Sequence, residues 1–319
     1  MKAALATAYG SPSVIRITEV PTPSPKKNEV LIRIHASAVN AADWRLRSAN
    51  PWFVRLVFGL TKPRRPILGV VFAGEVVETG ADVTAYKKGD RLFGWTSIMG
   101  LGGHAEYIAL KENGAFARMP DAMPYSDAAA IPFGFGTALY FLRKAKVDKG
   151  QRVLIYGASG AVGSAAVQLA KHLGAEVTGV CSTRNMELVR SLGATEVLDY
   201  IKDDLAAHRD RFDVVFETVG KLPFKQCLKL VRSGGKLVLG SDLPADMLKR
   251  AFSGKDGRKV TVISGTADES AEDMRHFAAL WEQQQIRPVI DSTFPLARIQ
   301  EAHARAESGR KVGNVVVTV

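Results

Sequence analysis

Residues 156–163 read Tyr156-Gly157-Ala158-Ser159-Gly160-Ala161-Val162-Gly163, and this stretch decides the fold. An apolar run at residues 151–155 precedes it, and a helical pattern begins near Ser164 and continues to Leu173. A strand, a glycine-rich turn and a helix in this order place a pyrophosphate at the helix N-terminus. The sequence therefore predicts that the turn binds a dinucleotide. A glycine turn without a ligand is the alternative at this point, because such turns are common.

Apolar β-branched runs alternate with amphipathic stretches around and after this turn. Short buried strands are predicted at residues 152–155, 177–181, 196–198, 214–217, 236–240 and 260–264. Helices are predicted at residues 185–192, 224–231 and 271–285. Six parallel strands make up a doubly wound (Rossmann) α/β domain, and such a domain without a nucleotide is the alternative that remains.

The end of the second predicted strand indicates which dinucleotide binds. An NAD site has an Asp or Glu about 20 residues past the glycines, where it accepts hydrogen bonds from the ribose. Ser182, Thr183 and Arg184 occupy this place, and none of them is acidic. Because a guanidinium matches phosphate geometry and hydroxyls can donate to it, the sequence favours NADPH. The alternative is that Arg184 is a solvated residue at a helix start.

Length and composition limit the class of protein. A chain of 319 residues with 46% hydrophobic residues can bury a large core and form two domains. It has no uninterrupted apolar stretch near ~18 residues, and its N-terminal residues run directly into a strand-like pattern. We therefore expect a cytoplasmic protein without a membrane partner. The two cysteines, Cys181 and Cys227, exclude a disulfide framework and a four-thiolate zinc site by number.

The formal charge of +11 raises the question of nucleic-acid binding. The basic residues are scattered, and their densest groups, at residues 62–65, 87–88 and 310–311, are short and loop-like. This pattern does not predict a nucleic-acid partner, whereas a positive field would attract NADPH.

The first part of the chain is built differently. Period-two alternation and frequent turns predict strands at residues 30–38, 69–79, 91–95 and 104–110, in an antiparallel, barrel-like domain. A helical stretch at 127–146 leads into the nucleotide domain. Strands predicted at 288–293 and 312–319 are expected to return to the first domain.

Several short motifs occur in a specific order along nearly the whole chain. Besides the glycine turn they are residues 39–43, 68–74, 88–94, 103–107, 134–138, 192–194 with 199–200, and 234–236. Together they resemble the medium-chain dehydrogenase/reductase superfamily, and more closely its zinc-independent quinone oxidoreductase branch. The resemblance implies a GroES-like antiparallel barrel domain, residues 1–122 and 266–319, and a Rossmann NADPH-binding domain, residues 123–265. It also implies a homodimer joined edge to edge along residues 259–264.

The resemblance also implies that no metal is bound. Zinc alcohol dehydrogenases of this superfamily have a cysteine in the region of Asn40 and a His-Glu pair where this chain has Val70 and Val71. Without a Lewis acid, reduction of an isolated ketone is unfavourable, whereas a quinone or an α,β-unsaturated carbonyl spreads the charge of the added hydride. The expected function is NADPH-dependent reduction of such planar acceptors in the interdomain cleft. The alternatives are a non-catalytic NADPH-binding sensor or RNA-associated protein, and an alcohol dehydrogenase with another metal arrangement.

The resemblance assigns roles to individual residues. Asn40, Asp43 and Arg45 are the expected catalytic residues, although Asn40 and Asp43 could simply cap a helix. Arg45 stands where some quinone reductases have a tyrosine. The expected cofactor-binding residues are Thr137, Gly157, Ala158, Ser159, Gly160, Ala161, Val162, Gly163, Ser182, Thr183, Arg184, Tyr200, Gly240 and Ser241. The expected walls of an apolar substrate pocket are Trp44, Trp52, Phe53, Phe58 and Trp95, with core packing as the alternative. Residues 51–66 are either a lid or a packed connection.

Overall fold

The computed structural model describes residues 1–97, 99–241 and 259–319. The chain divides into two compact units. Unit 1 contains Met1–Phe133 and Glu269–Val319, and unit 2 contains Gly134–Asp268. The sequence-based boundaries, 122/123 and 265/266, lie 11 and 3 residues away from these divisions. The first division falls inside one long helix, Tyr125–Lys144, which spans the end of unit 1 and the start of unit 2.

The N-terminal part of unit 1 consists of strands and short helices, and one long helix follows them. The strands are β1 (Lys2–Ala6), β2 (Ile15–Glu19), β3 (Glu29–Val39), β4 (Val71–Thr79), β5 (Arg91–Trp95), β6 (Tyr107–Lys111) and β7 (Phe116–Arg118). The helices are α1 (Ala41–Ser48), α2 (Val54–Phe58) and α3 (Tyr125–Lys144), of which the last leads into unit 2. The predicted strand at 91–95 has the observed bounds, whereas β4 begins two residues after the predicted Gly69 and β6 three residues after the predicted His104.

Unit 2 alternates strands and helices as the sequence predicts. Its strands are β8 (Arg152–Tyr156), β9 (Glu176–Cys181), β10 (Glu196–Asp199), β11 (Phe212–Glu217), β12 (Val231–Leu239) and β13 (Thr261–Ser264). Its helices are α4 (Ala161–His172), α5 (Met186–Ser191) and α6 (Phe224–Leu230). The first of these begins three residues before the predicted Ser164, because Gly160 already serves as its N-cap.

The last part of the chain returns to unit 1. It contains helices Ala271–Glu282 and Ile299–Glu307 and strands β14 (Ile290–Pro295) and β15 (Asn314–Thr318). Strand β15 pairs antiparallel with β3, so the C-terminal strand joins the sheet of unit 1. Strand β14 pairs parallel with β15, which makes this sheet mixed where the sequence predicted an antiparallel barrel. Two parallel neighbouring strands need a long crossover connection, and the helix Ile299–Glu307 provides it between β14 and β15.

The main sheet of unit 1 has the order β14-β15-β3-β4-β5-β7, and β6 also pairs with β3. Its core contains the inward-facing residues of the central strands. These are Val30, Ile32 and Ile34 of β3 with Phe72 and Val76 of β4, packed with Leu92, Ile108 and Phe116. The alternation of β3 places these apolar side chains on one face, as expected for a strand that covers a core.

The sheet of unit 2 has the order β10-β9-β8-β11-β12-β13, and all its neighbouring strands are parallel. This confirms the predicted doubly wound sheet. The order reverses between β8 and β11, and open α/β sheets bind ligands at the carboxyl ends of the strands at such a point. The glycine turn follows β8 directly, so it lies at this reversal. Within the described ranges, no helix is long and apolar enough to cross a membrane.

Candidate active site

The glycine turn of unit 2 has the geometry that its glycines predict. Gly157 has a φ of +82°, a left-handed conformation that few other residues adopt without strain. The N–H groups of Gly157 and Ala158 each donate to the Val180 carbonyl oxygen at 3.0 Å, which holds the turn against β9. A methyl group added at Gly163 would lie 2.1 Å from the Gly157 carbonyl oxygen. The absence of a side chain there is therefore required for α4 to pack on the turn.

The start of α4 suits an anionic group. Gly160 is the N-cap, and within the described residues no side chain caps this turn and no acidic residue lies in it. The first N–H groups of a helix have no partner within the helix and carry partial positive charge. A methyl group added at Gly160 would meet only the Gly157 carbonyl oxygen, at 3.4 Å. The residues of this turn fit the pyrophosphate of a dinucleotide, because the backbone is open where the phosphates would approach.

The end of β9 brings together the residues that the sequence singled out for phosphate selection. Arg184 is exposed and Ser182 is half-buried. The Thr183 hydroxyl donates to the Asp199 carboxylate, so this predicted phosphate donor already has an acceptor within the unit. The Asn185 amide donates to the Ser159 hydroxyl at 2.9 Å and connects this segment to the glycine turn.

Asp199, at the end of β10, lies beside these residues and was not among the predicted site residues. The Thr183 hydroxyl and the Ile201 N–H, at 3.0 Å, both donate to its carboxylate. These hydrogen bonds lower its pKa below the usual range. Tyr200 follows it, is half exposed, and lies 6.3 Å from the Tyr156 ring. The signal available in the sequence was an acidic residue at the end of a buried strand beside the nucleotide strand.

Glu217, at the end of β11, holds the opposite side of the reversal point and was also missed. Its buried carboxylate accepts hydrogen bonds from the N–H groups of Val219 at 3.2 Å, Gly220 at 2.7 Å and Lys221 at 3.1 Å, and from the Ser241 hydroxyl at 3.1 Å. The Gly240 N–H donates to the Glu217 backbone carbonyl at 2.8 Å. The predicted residues Gly240 and Ser241 are therefore positioned by this one glutamate.

Thr137 lies on α3, one turn after Gly134. A methyl group added at Gly134 would be 2.7 Å from the Ala161 carbonyl oxygen, so α3 packs tightly on the first residue of α4. Thr137 is half-buried. Thr137 therefore lies one helical turn along α3 from the point where Gly134 packs against Ala161.

Asn40 and Asp43 of unit 1 form the start of α1. Both side chains are buried, Asn40 with 4% and Asp43 with 0% exposure. The Asp43 carboxylate accepts hydrogen bonds from the Asn40 N–H at 2.8 Å and from the Gly69 N–H at 3.1 Å. The first bond belongs to a capping box, and the second ties α1 to the segment before β4. The structure thus shows Asp43 in the helix-capping role that the sequence left open.

Further polar residues are buried near Asp43. Burial lowers the pKa of His104, although the nearby Asp43 charge opposes this effect. The His104 ring lies 5.4 Å from that of His303, and burial holds the pKa of His303 well below its usual value. Arg47, with 0% exposure, pairs with Glu307, 260 residues away in the chain. The separate histidines and the arginine gave no spacing signal in the sequence, because the fold brings them together.

The structure separates the predicted aromatic pocket residues by environment. Trp95 is buried and packs on Phe133, with 5.8 Å between ring centroids, in the core of unit 1. Trp44 is half-buried, and the Arg45 guanidinium lies 5.4 Å from its ring centroid. Burial also lowers the pKa of Arg45. The remaining three follow α1, where Phe53 and Phe58 are half-buried and Trp52 is exposed.

In the parts of the chain that the structure describes, no group of three or more His, Cys, Asp or Glu side chains is arranged to hold a metal ion. Cys181 and Cys227 are buried free thiols.

The geometry of both units agrees with known protein families. Residues 26–121 match the alcohol dehydrogenase GroES-like domain, and residues 192–317 match a family described as zinc-binding dehydrogenase. The chain is 32% identical to the chloroplast envelope quinone oxidoreductase homolog of Arabidopsis thaliana, over 97% of this chain and 95% of that protein. It is 30% identical to the NADPH-dependent alkenal/one oxidoreductase, chloroplastic, of the same plant, over 99% of this chain and 79% of that protein.

A solved structure shows the same architecture. The quinone oxidoreductase from Coxiella burnetii superimposes with a TM-score of 0.90 at 28% identity, covering 100% of this chain and 99% of that one. Both the sequence and the fold are thus shared over essentially full length. The chain belongs to the medium-chain dehydrogenase/reductase superfamily, in its zinc-independent quinone oxidoreductase branch.

Proposed function

We propose that the chain is an NADPH-dependent reductase that transfers hydride to quinones or α,β-unsaturated carbonyls. The observation that carries the proposal is the open glycine turn at the start of α4, at the reversal point of the parallel sheet, with Arg184 and Ser182 at the end of the next strand. Relatives named as quinone and alkenal/one oxidoreductases support the acceptor class.

The residues of unit 2 divide the work of holding the cofactor. Residues 157–163 would bind the pyrophosphate through backbone N–H groups, as the fit of the turn supports. Arg184 would bind the 2′-phosphate as a charge-assisted donor, with Ser182 and Tyr200 beside it. Thr183 is assigned a different part, because its hydroxyl donates to Asp199 and orients the segment. Thr137, Gly240 and Ser241 would contact the nicotinamide end. NADPH, when bound, supplies the hydride.

The residues of unit 1 would serve the acceptor. When hydride adds to a conjugated carbonyl, negative charge develops on its oxygen, and a hydrogen-bond donor stabilises that charge. One amide N–H of Asn40 donates to the Ala38 carbonyl at 3.3 Å, which leaves the second N–H of the same amide for the acceptor oxygen. Arg45 adds positive charge nearby in the chain. The Asp43 carboxylate accepts a hydrogen bond from the backbone N–H of Asn40, so Asp43 is a positioning residue.

Half-buried aromatic residues give the acceptor region its apolar character. Trp44, Phe53 and Phe58 are half-buried and remain candidates for contact with a flat ring. Trp95 is buried against Phe133, so its proposed part is to support the region from the core.

The proposal is tested by incubating the protein with NADPH and a panel of quinones, enals and enones, and following NADPH absorbance. We expect depletion with at least one acceptor class and one equivalent of reduced product per NADPH. If NADPH binds but its absorbance stays constant across the whole panel, the protein is an NADPH-binding protein without reductase activity.

We further propose that the chain forms a homodimer in a reducing compartment. Strand β13 pairs with β12 on one side, and its Val262 side chain is 39% exposed, which supports a homodimer formed along this edge. Light scattering at micromolar concentration should give twice the chain mass, and a monomeric mass would contradict it. The two free thiols support a reducing compartment such as the cytoplasm.

A further inference from the structure

A surface segment of unit 1, residues 51–66, presents apolar side chains where a surface helix usually has polar ones. Its helix α2 points Val54 and Phe58 inward, and both are half-buried. Besides Arg55, the same helix carries two further apolar side chains that are exposed, Leu56 by 60% and Val57 by 53%. Trp52 before the helix is 70% exposed and Leu60 after it is 64% exposed. An apolar outward face of this kind marks an interaction surface.

The surface segment is fixed to the rest of unit 1, so these side chains are held outward. The Tyr9 hydroxyl donates to the Gly59 carbonyl at 2.7 Å, and the Arg55 guanidinium lies 5.0 Å from the Tyr9 ring centroid. The Arg64 N–H donates to the Phe58 carbonyl at 2.8 Å. At the end of the segment, the Pro66 carbonyl accepts from the Ala6 N–H at 2.8 Å. These bonds connect both the middle and the end of the segment to the body of unit 1.

The charges of the surface segment have one sign. Arg55, Lys62, Arg64 and Arg65 are all exposed, and no acidic residue occurs between Asp43 and Glu75 in the sequence. The Arg65 guanidinium donates to the Gly100 carbonyl at 2.9 Å, which brings the basic end next to the exposed side chain of Met99. Exposed tryptophan and leucine side chains, flanked by arginine and lysine, are the composition of protein segments that lie in a membrane interface.

We propose that the surface segment adsorbs to an anionic lipid surface. The apolar side chains of Trp52, Leu56, Val57 and Leu60 would enter the boundary between headgroups and acyl chains, and the four basic side chains would face anionic headgroups. The cytoplasmic leaflet has such a negative surface. The inference goes beyond the proposed reductase function and does not depend on it.

Adsorption to a lipid surface is a different property from spanning a membrane. The expectation of no membrane partner rested on the lack of an apolar stretch near ~18 residues, which a spanning helix needs. A segment that lies on the lipid surface needs far fewer residues, because only one face is buried. Sequence periodicity could not show which side chains of this short segment point outward.

The proposal is tested by co-sedimentation of the full chain with vesicles of phosphatidylcholine, alone or mixed with phosphatidylglycerol. We expect binding to the anionic vesicles, little binding to the neutral ones, and release as salt is raised, because salt screens the surface charge. No binding to anionic vesicles at low salt would overturn the proposal. Since the readout is adsorption, it is independent of NADPH oxidation, so failure of one proposal is distinguishable from failure of the other.

Two pairs of variants locate the surface. The double substitution Lys62→Gln/Arg64→Gln should lower the vesicle partition coefficient about 25-fold, since each basic residue near the surface contributes about fivefold. Its matched control is Lys87→Gln/Lys88→Gln, which removes the same charge from another exposed site of unit 1 and should change binding far less. An equal loss in both doubles would show that only the net charge of the protein matters, which contradicts the proposal.

The apolar contribution is measured in the same way. Leu56→Gln/Leu60→Gln should lower the partition coefficient about tenfold or more, because burial of leucine in lipid is lost. The control is Ile201→Gln, which removes a side chain of 66% exposure from unit 2 and should leave vesicle binding unchanged. If Leu56→Gln/Leu60→Gln changes the oligomeric state and leaves vesicle binding intact, the surface is an interface between copies of the chain and the proposal is wrong.

Quenching of tryptophan fluorescence tests the lipid contact in the natural sequence, with its apolar and basic side chains unchanged. Brominated lipids quench the fluorescence of tryptophan in the interface, and Trp52 is 70% exposed whereas Trp95 is buried. We expect brominated anionic vesicles to quench the protein, and Trp52→Phe to lose that quenching. Binding without any quenching would place the contact elsewhere and overturn the assignment to this segment.

Discussion

Removal of the Asp43 carboxylate tests whether it holds the fold of unit 1 or acts on the acceptor. In Asp43→Ala, two buried N–H groups, those of Asn40 and Gly69, lose their acceptor. Each buried donor without a partner costs ~1–3 kcal/mol, or ~2–6 kcal/mol together. Burial raises the pKa of Asp43, so part of this cost is offset when a buried charge is removed. We therefore expect the free energy of unfolding to fall by ~2–4 kcal/mol.

Tryptophan fluorescence during urea unfolding measures this loss within unit 1. The four tryptophans of the chain all belong to this unit, at positions 44, 52, 95 and 281. The matched variant Asp43→Asn keeps one carbonyl acceptor of the same shape and should lose about half as much stability. NADPH affinity, measured by titration at low urea, should stay close to that of the natural sequence, because the residues proposed to bind the cofactor lie in unit 2.

Two outcomes would contradict this structural role of Asp43. If Asp43→Ala loses less than ~1 kcal/mol of stability, the two hydrogen bonds do not have the structural part assigned to them. If the same variant also binds NADPH normally but reduces no acceptor, the carboxylate acts in the reaction itself.

Two other substitutions follow from the hydrogen bonds and the packing. Burial raises the pKa of Asp291, but the Arg305 side chain and the Val312 N–H lower it more, to about 2. The ionised Asp291 stabilises the fold fully above the usual pKa of 3.8, and this stabilisation is lost as pH falls toward 2. Asp291→Asn should therefore lower the free energy of unfolding by ~2 kcal/mol at pH 7 and flatten the acid side of a plot of stability against pH. Gly163→Ala should lower the free energy of unfolding and weaken NADPH binding at least tenfold, because the added methyl group would lie 2.1 Å from the Gly157 carbonyl oxygen. Gly160→Ala, the matched control, should weaken NADPH binding with little change in the unfolding midpoint.

The sequence predicted the parallel sheet well because its strands are short, apolar and separated by clear turns. The predicted strands at 214–217 and 236–240 correspond to β11 and β12, of which the second ends at Leu239, and the glycine turn lies where the sheet reverses. These features depend on local patterns of side-chain type, which period and turn chemistry record.

Contacts between distant parts of the chain could not be predicted in the same way. The Asp43–Gly69 bond spans 26 residues and the Arg47–Glu307 pair spans 260. No spacing rule connects such residues, because their approach depends on the order of strands in the sheet of unit 1. The same holds for Thr183, which a strand-end rule placed on the phosphate and which the fold pairs with Asp199.

The cofactor preference of the reaction tests the central claim most directly. The measurement is kcat/KM with a saturating quinone, for NADPH and for NADH, in the natural sequence and in Arg184→Ala. A charge-assisted contact to the 2′-phosphate contributes ~1.5–3 kcal/mol, so NADPH should be favoured by roughly 10- to 150-fold, and Arg184→Ala should remove most of that preference without affecting NADH. Equal use of both cofactors by the natural sequence, or an equal loss with both in Arg184→Ala, would contradict the account.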